Sequence, residues 1–289
     1  MKFIIFNYSS PSLIQPAYLS EEINKINGCS SYLSNSMNNI YYLYDRIKPD
    51  FSIINIGGNI RDCIHYNQNT SKKVQHILSL DYLPDNQIDA AKNFIKQDKD
   101  MNIRMLISTS SKLNNIDFGV PFVHVANCAN SQISKAPEIF KINTLVLTSK
   151  SEINRNYEGT YHLASLGSKF EGVDFELNSL STIKILQNYQ EVVIENMDSD
   201  NIPEEFFNAI YFGKGRVYFN NQDDAEASKL NKVLNKILSC DNNFSYKDKQ
   251  EYDLMPIKNK VKEKHTPYNR LKRVLSNIKE AQPIVATME

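Results

Sequence analysis

Along nearly the whole chain, short apolar runs alternate with longer amphipathic stretches. No other feature restricts the fold as much. A few consecutive apolar residues bounded by turn residues have the length of a buried strand, whereas apolar residues recurring three and four apart give a helix one buried stripe. Strand and helix in alternation mean βαβ units and a mostly parallel sheet.

In the first half, residues 2–6, 51–56, 103–107 and 122–126 have strand character. Residues 17–26 and 38–48 read as helices, stopped by Gly28 and by Pro49-Asp50. Apolar patches at 74–80 and 88–95 flank a turn at Pro84-Asp85. In the second half, strands are expected at 144–147, 170–175, 191–194 and 216–219, and helices at 156–166, 180–188, 203–212 and 223–238. Pro203 in a first helical position and Gly213 beyond the end are the usual helix punctuation. Residues 241–262 are polar and charged without an apolar period, which predicts a linker or ordered loop. Residues 267–278 form a last basic amphipathic helix, suited to pack back across the first lobe. The expected division is a Rossmann-like lobe at 1–138, a second at 139–240, and a linker with the C-terminal basic helix at 241–289, with a cleft between the lobes. No repeat of solenoid period is present.

Length and composition bound the function. The chain has 289 residues, enough for two domains at roughly 100–200 residues each. Basic and acidic residues number 33 each. That balance removes the electrostatic argument for a dedicated nucleic-acid binder, which needs a basic surface to neutralise phosphate. Cys29, Cys63, Cys128 and Cys240 are widely spaced and form no C-x-x-C pair, so reduced thiols are expected rather than a zinc site or a disulfide scaffold. The apolar run at 3–6 is too short for a signal peptide, and no stretch approaches the ~20 apolar residues of a membrane span. A cytoplasmic location is expected.

In open parallel sheets, ligands sit beyond the carboxyl ends of the strands. The strand pattern therefore predicts polar loop tips at Asn7, Ser9 and Ser10, at Gly57, Gly58 and Arg61, at Asn127 and Asn130, at Thr148, Ser149 and Lys150, and at Glu195 and Asn196. Residues 191–219 are the richest stretch. A buried strand ends in a carboxylate and an amide, an acidic loop follows, and a helix then begins with Glu204 and Glu205 in its first turn. A helix N-terminus offers unpaired N–H groups to a diphosphate, and a glutamate there can accept both hydroxyls of a ribose. Acidic residues in a first turn also serve simply to complement the helix dipole, with Asp200 or Asn201 as cap, and both readings stand.

The strand–loop–helix–Gly–strand pattern resembles the donor-binding segment of two-lobed (GT-B) glycosyltransferases. Ile194-Glu195-Asn196, Pro203-Glu204-Glu205 and Asn208-Ala209 resemble the donor segment of fucosyltransferases of that architecture. The stretch from Ile202 to Ala209 is similar to the Ile-Pro-x-x-x-Phe-x-Ala helix of spore-maturation-protein-like glycosyltransferases, and His265-Thr266-Pro267-Tyr268-Asn269-Arg270 resembles their terminal helix. One departure is clear. Both families carry a basic residue in the helix's first turn, and Glu205 or Phe206 stands there in this chain. Lys150, Arg155 or Lys214 would have to replace it.

The resemblance implies an α/β, GT-B-like fold of two Rossmann-like lobes with mostly parallel sheets and a C-terminal helix. It implies transfer of a sugar from a nucleotide-sugar donor to a glycan, lipid-linked or protein acceptor. The donor side would comprise Ser149, Lys150, Glu195, Asn196, Pro203, Glu204, Glu205 and Asn208. The acceptor side would comprise Ser10, Gly57, Gly58, Arg61, Asn127 and Asn130. His124 or Asp62 would be the base of an inverting reaction. No cofactor or divalent metal is required, because helix dipole and basic side chains stabilise a leaving diphosphate. The alternatives are a non-catalytic binding or scaffold protein of the same fold, and a nucleotide-sugar epimerase-like enzyme.

Other signals are weaker. Asp198-Ser199-Asp200 matches the metal-binding triplet of one-lobed glycosyltransferases, but it precedes a helix, where capping explains it. His124 sits in an apolar run and has two readings, buried core residue or general base. His65 and His162 are expected at the surface. No dinucleotide fingerprint, P-loop or nucleophile elbow occurs. The basic segment 258–264 with Arg270, Lys272 and Arg273 has the character of a solvated face, with peripheral contact to an anionic membrane as the alternative.

Overall fold

The computed structural model describes the chain except residues 8–13, 35–39, 56–73, 82, 98–101, 130–141, 150–155, 158, 167–173, 178–184, 213–214 and 289. The chain divides into two compact units, Met1–Ala126 with Pro267–Glu289, and Asn127–Thr266.

The first unit is built on a parallel sheet of six strands in the order β2-β1-β3-β4-β5-β6. These are β1 (Lys2–Asn7), β2 (Ser30–Ser34), β3 (Phe51–Asn55), β4 (Gln75–Ser79), β5 (Ile103–Ser108) and β6 (Phe122–His124). Every residue of β3 is buried, as expected of a central parallel strand with both faces covered. Helices α1 (Ile14–Lys25), α2 (Ile40–Ile47) and α3 (Ile88–Gln97) connect the strands. Helix α7 (Pro267–Leu275) returns to this unit and packs beside α1. Its Leu271, Val274 and Leu275, with Ile278 beyond it, share one core with Phe3, Ile5, Ile23, Phe51 and Ile53. Each such side chain contributes about 1.5–3 kcal/mol when fully buried. The expected C-terminal helix is thus part of the first unit's core. A short α8 (Gln282–Val285) follows it.

One polar pair interrupts that sheet. Ser52 and His76 stand opposite each other on β3 and β4, both with almost no exposure. The Ser52 hydroxyl and His76 Nδ1 are 2.6 Å apart. Burial lowers the imidazole from its ordinary value to about 4.

The second unit has a five-stranded parallel sheet in the order β11-β10-β7-β8-β9. The strands are β7 (Ile142–Thr148), β8 (Tyr161–Leu166), β9 (Phe175–Leu177), β10 (Tyr189–Glu195) and β11 (Arg216–Asn220). Counted within the unit the order is 5-4-1-2-3, the doubly wound arrangement in which chain order reverses between β7 and β10. One face is covered by α4 (Glu204–Phe212), α5 (Asp224–Leu238) and α6 (Leu254–Lys264). Phe206, Phe207, Leu230, Leu234, Ile257 and Val261 pack there on Leu145, Leu147, Val192, Ile194 and Phe219. Asp223 caps α5 by accepting from the amides of Ala225 and Glu226. At Gly215, the residue before β11, an added Cβ would stand 1.6 Å from the carbonyl oxygen of Gln190. Only glycine lets β11 start this close to β10.

Two sequence expectations need correction. Residues 156–166 were expected to be helical, but 161–166 form β8. Leu163, Ala164 and Ser165 are buried in succession between two parallel neighbours, so the run carries no strand alternation to separate it from a buried helix. Residues 241–262, expected to be linker or loop, contain most of α6. That helix buries only Ile257 and Val261, one turn apart, and lysines mask so narrow a stripe. Residues 244–246 also run alongside β11, with a parallel bridge between Phe219 and Ser245. Among the described residues, no helix is long and apolar enough to cross a membrane.

Candidate functional site

In a doubly wound sheet the ligand crevice lies at the carboxyl ends of the two strands where chain order reverses. In the second unit those are β7 and β10. Parallel strands in register place paired residues on the same face, and two successive rungs on one face of this sheet show a change along it. Tyr218, Val193, Val146 and Leu163 form an apolar rung. Two residues further on, Asn220 pairs with Glu195, Thr148 pairs with Ser165, and Glu195 follows the Ile194–Leu147 pair. The sheet core therefore ends in four polar side chains, each less than one-tenth exposed.

Tyr157 closes this row from above. Its hydroxyl donates to Glu195 Oε1 and accepts from Asn220 Nδ2 at 3.0 Å. Its ring meets those of Tyr161 and Tyr246 edge to face. Burial and the Glu195 carboxylate push the Tyr157 phenol far above its ordinary value, so it stays a donor at every physiological pH. Ser165 Oγ and Asn221 Oδ1 are buried at the same end and meet no hydrogen-bond partner among the described residues. Tyr157→Phe removes two hydrogen bonds, one to a buried carboxylate, and is expected to destabilise the second unit by about 2 kcal/mol. Loss of amide-exchange protection along β10 and β11, with β1–β5 unchanged, is the measurement.

Beyond the row the chain turns toward α4. Asn196 has φ +51°, in the left-handed region that asparagine tolerates, and donates its amide to Asn220. The Asp198-Ser199-Asp200 triplet is occupied by local structure. Asp198 Oδ1 accepts from the Asp200 amide, Ser199 donates to Glu226, and Asp200 pairs with Lys229 at 3.4 Å. At the helix start, Glu204 Oε1 accepts from the Asn208 side chain at 3.3 Å. Burial, and then the neighbouring Glu204 charge, push the Glu205 carboxyl up to about 7. Asn127, expected on the acceptor side, belongs to the second unit and donates to the Ile202 carbonyl at 2.8 Å, just before α4.

The expected donor residues are therefore distributed as follows. Ser149 is exposed at the end of β7. Pro203, Glu204 and Glu205 are partly exposed at the α4 start, while Glu195 and Asn208 are buried. Lys150 lies outside the described residues, as do Arg155 and Lys214. Tyr157 and Asn220 were missed. Tyr157 sits in what the pattern gave as a helix, and only the register of β10 and β11 brings Asn220 beside Glu195.

The first unit has its own polar cluster. Asp81, after β4, accepts from the Ser79 hydroxyl at 2.8 Å and from the Thr109 amide at 2.6 Å. Arg270 of α7 pairs with it at 3.4 Å. The Thr109 carbonyl lies 3.1 Å from Nε2 of His124, the last residue of β6. Because that carbonyl can only accept, Nε2 carries the proton and Nδ1 is the basic nitrogen. Burial is the main cause that lowers the His124 imidazole below its ordinary value. Ser10, Gly57, Gly58, Arg61, Asp62 and Asn130 lie outside the described residues.

No protein-family model matches the chain, and no curated protein matches it. Among solved structures it is similar to a glycosyltransferase from Rickettsia africae ESF-5, with 8% identity over 97% of this chain and 98% of that one and a TM-score of 0.57. A UDP-N-acetylglucosamine 2-epimerase aligns over 81% of this chain and 87% of that one, with 11% identity and a TM-score of 0.38. The first likeness is one of fold. The chain is an α/β protein of two Rossmann-like units with parallel sheets and a C-terminal helix, GT-B-like in class.

Proposed function

We propose that the protein is a glycosyltransferase that moves a sugar from a nucleotide-sugar donor to a glycan, lipid-linked or protein acceptor. The observation that carries this reading is the likeness of nearly the whole chain to a glycosyltransferase fold, at a TM-score of 0.57. The polar row at the carboxyl ends of β7, β8, β10 and β11 supports it, because that end of a doubly wound sheet is where nucleotides bind. So does the residue-level resemblance of 202–209 and 265–270 to spore-maturation-protein-like glycosyltransferases.

In this proposal the second unit takes the donor. Glu204 accepts the ribose hydroxyls, the α4 N-terminus from Pro203 receives the diphosphate, and Ser149 and Lys150 flank it. Glu195, Asn196, Glu205 and Asn208 shape the pocket, with Glu195 acting through Tyr157. The first unit takes the acceptor, through Ser10, Gly57, Gly58, Arg61 and Asn130, with His124 or Asp62 as base. Asn127 joins that acceptor set, its side chain donating to the Ile202 carbonyl. The reaction needs no cofactor or metal, and the protein works in the cytoplasm, without nucleic acid and with at most peripheral membrane contact.

One observation favours a second reading, a non-catalytic binding protein of the same fold. The first turn of α4 holds two carboxyl groups where a phosphate-gripping base would stand. Thermal shift against nucleoside diphosphates separates the two. The first reading expects a concentration-dependent rise in Tm, and about a tenfold loss of affinity for Glu204→Ala, the equivalent of about 1.4 kcal/mol. No rise with any nucleoside diphosphate at millimolar concentration sinks it. Intact binding in Glu204→Ala removes the ribose role alone.

A further inference from the structure

We propose that Asp81 and Arg270 are positioning residues for His124. Arg270 clamps Asp81, Asp81 fixes the Thr109 peptide, and the Thr109 carbonyl holds the ring so that Nδ1 is presented as an acceptor at the carboxyl end of the first unit's sheet. This rests on the reading above that His124 serves as the base toward an acceptor hydroxyl.

The geometry supports each link. The Arg270 and Asp81 side chains are 11% and 12% exposed, so their pairing is shielded from solvent and ions. Asp81 uses both oxygens: Oδ2 accepts from Ser79 and Arg270, and Oδ1 from the Thr109 amide. The residue whose carbonyl meets His124 is therefore tied through its own amide to a carboxylate that is itself held from two sides. Ser108 and His124 pair in register on β5 and β6, which sets the distance from the ring to Thr109. Burial first of all opposes the charged imidazole, and four groups bear on it besides: the Thr109 carbonyl and Asp81 favour its charged form, and Arg273 and Arg270 oppose it. Arg273 lies one turn beyond Arg270 on α7 and is exposed. The ring is kept neutral by surroundings that include two cations, and an arginine from the far end of the chain completes the arrangement. A neutral imidazole with a fixed N–H and an open acceptor nitrogen is the form that takes a proton from a hydroxyl.

The test is ¹⁵N imidazole NMR on the full chain between pH 4.5 and 8, with the His124 signal identified by its loss in His124→Gln. The proposal expects the Nε2–H tautomer with Nδ1 unprotonated at neutral pH. It also expects shifts of opposite sign. Asp81→Asn lowers the His124 midpoint, because two cations lose their counter-charge. Arg270→Gln raises it, because the carboxylate is freed. Arg273→Gln, at an exposed position, also raises it and gives the electrostatic answer even if the buried variants fail to fold. Arg270→Lys restores the wild-type tautomer and midpoint. An Nδ1–H tautomer, or a tautomer and midpoint indifferent to both Asp81→Asn and Arg270→Gln, overturns the proposal. If the tautomer and shifts appear but His124→Gln leaves sugar transfer unchanged, the positioning network stands and the base reading falls.

Discussion

Gly215→Ala is expected to cost the second unit at least about 3 kcal/mol and to separate β11 from β10 at its start. The added methyl would meet the carbonyl oxygen, carbon and Cα of Gln190 at 1.6, 2.2 and 2.7 Å. All three are backbone, so no rotamer change relieves the overlap. Either β11 withdraws or the Tyr189–Gln190 backbone does, and both begin the pairing that carries Asn220 and Glu195 to the polar row. The substitution should therefore damage the candidate donor site from the opposite end of the strands. Urea denaturation gives the loss of stability, and amide exchange at Val217–Phe219 locates it. A variant of wild-type stability would mean that the two strands are less closely spaced than described.

The second large effect is a pH dependence confined to the first unit. His76 titrates near 6.5 in an unfolded chain and near 4 in the folded protein. Between those values the unfolded state binds the proton and the folded state does not, so acid favours unfolding. The stabilisation is complete above about pH 6.5 and is lost as the pH falls toward 4, a total of about 3 kcal/mol at 1.36 kcal/mol per unit. His76→Asn, which can keep a hydrogen bond to Ser52, should flatten the stability profile of the first unit over that range. Exchange protection at Ile53 and Ile77, followed from pH 7 to 4.5, reports it directly. An unchanged acid slope in His76→Asn would remove His76 as its source.

Much of this fold is legible in the sequence where burial leaves a period. Residues 223–238 predicted α5 almost to the residue, because a capping aspartate precedes Leu230, Leu234 and Leu238 on one stripe. Strands β3, β5, β7, β10 and β11 follow from short, mostly apolar runs between turn residues. The misses have physical causes. Strand β2 has two exposed apolar residues, Tyr32 and Leu33, within a serine-rich edge, and no pattern marks it. Strand β8 is buried on both faces, and α6 on barely one. For the site, Glu195 and the α4 start were legible as a strand end and a helix start. What Glu195 does was not, since that depends on Tyr157 reaching across from the connection between β7 and β8. Asn127 illustrates the same limit: its type suggested a loop-tip ligand, but only the fold reveals that it is tied to the Ile202 carbonyl.

The discontinuity of the first unit sets an order on biosynthesis. Its core takes Leu271, Val274, Leu275 and Ile278 from beyond the whole second unit. While the ribosome adds residues 127–266, at about 5–20 residues per second, strands β1 to β6 wait on the order of ten seconds with the apolar face meant for α7 uncovered. The second unit, contiguous in the chain, can close as soon as its last helix has emerged, without waiting for any later segment. A chain ended before Pro267 and released would thus carry a finished second unit and an unfinished first one, a species that holdase chaperones are suited to bind.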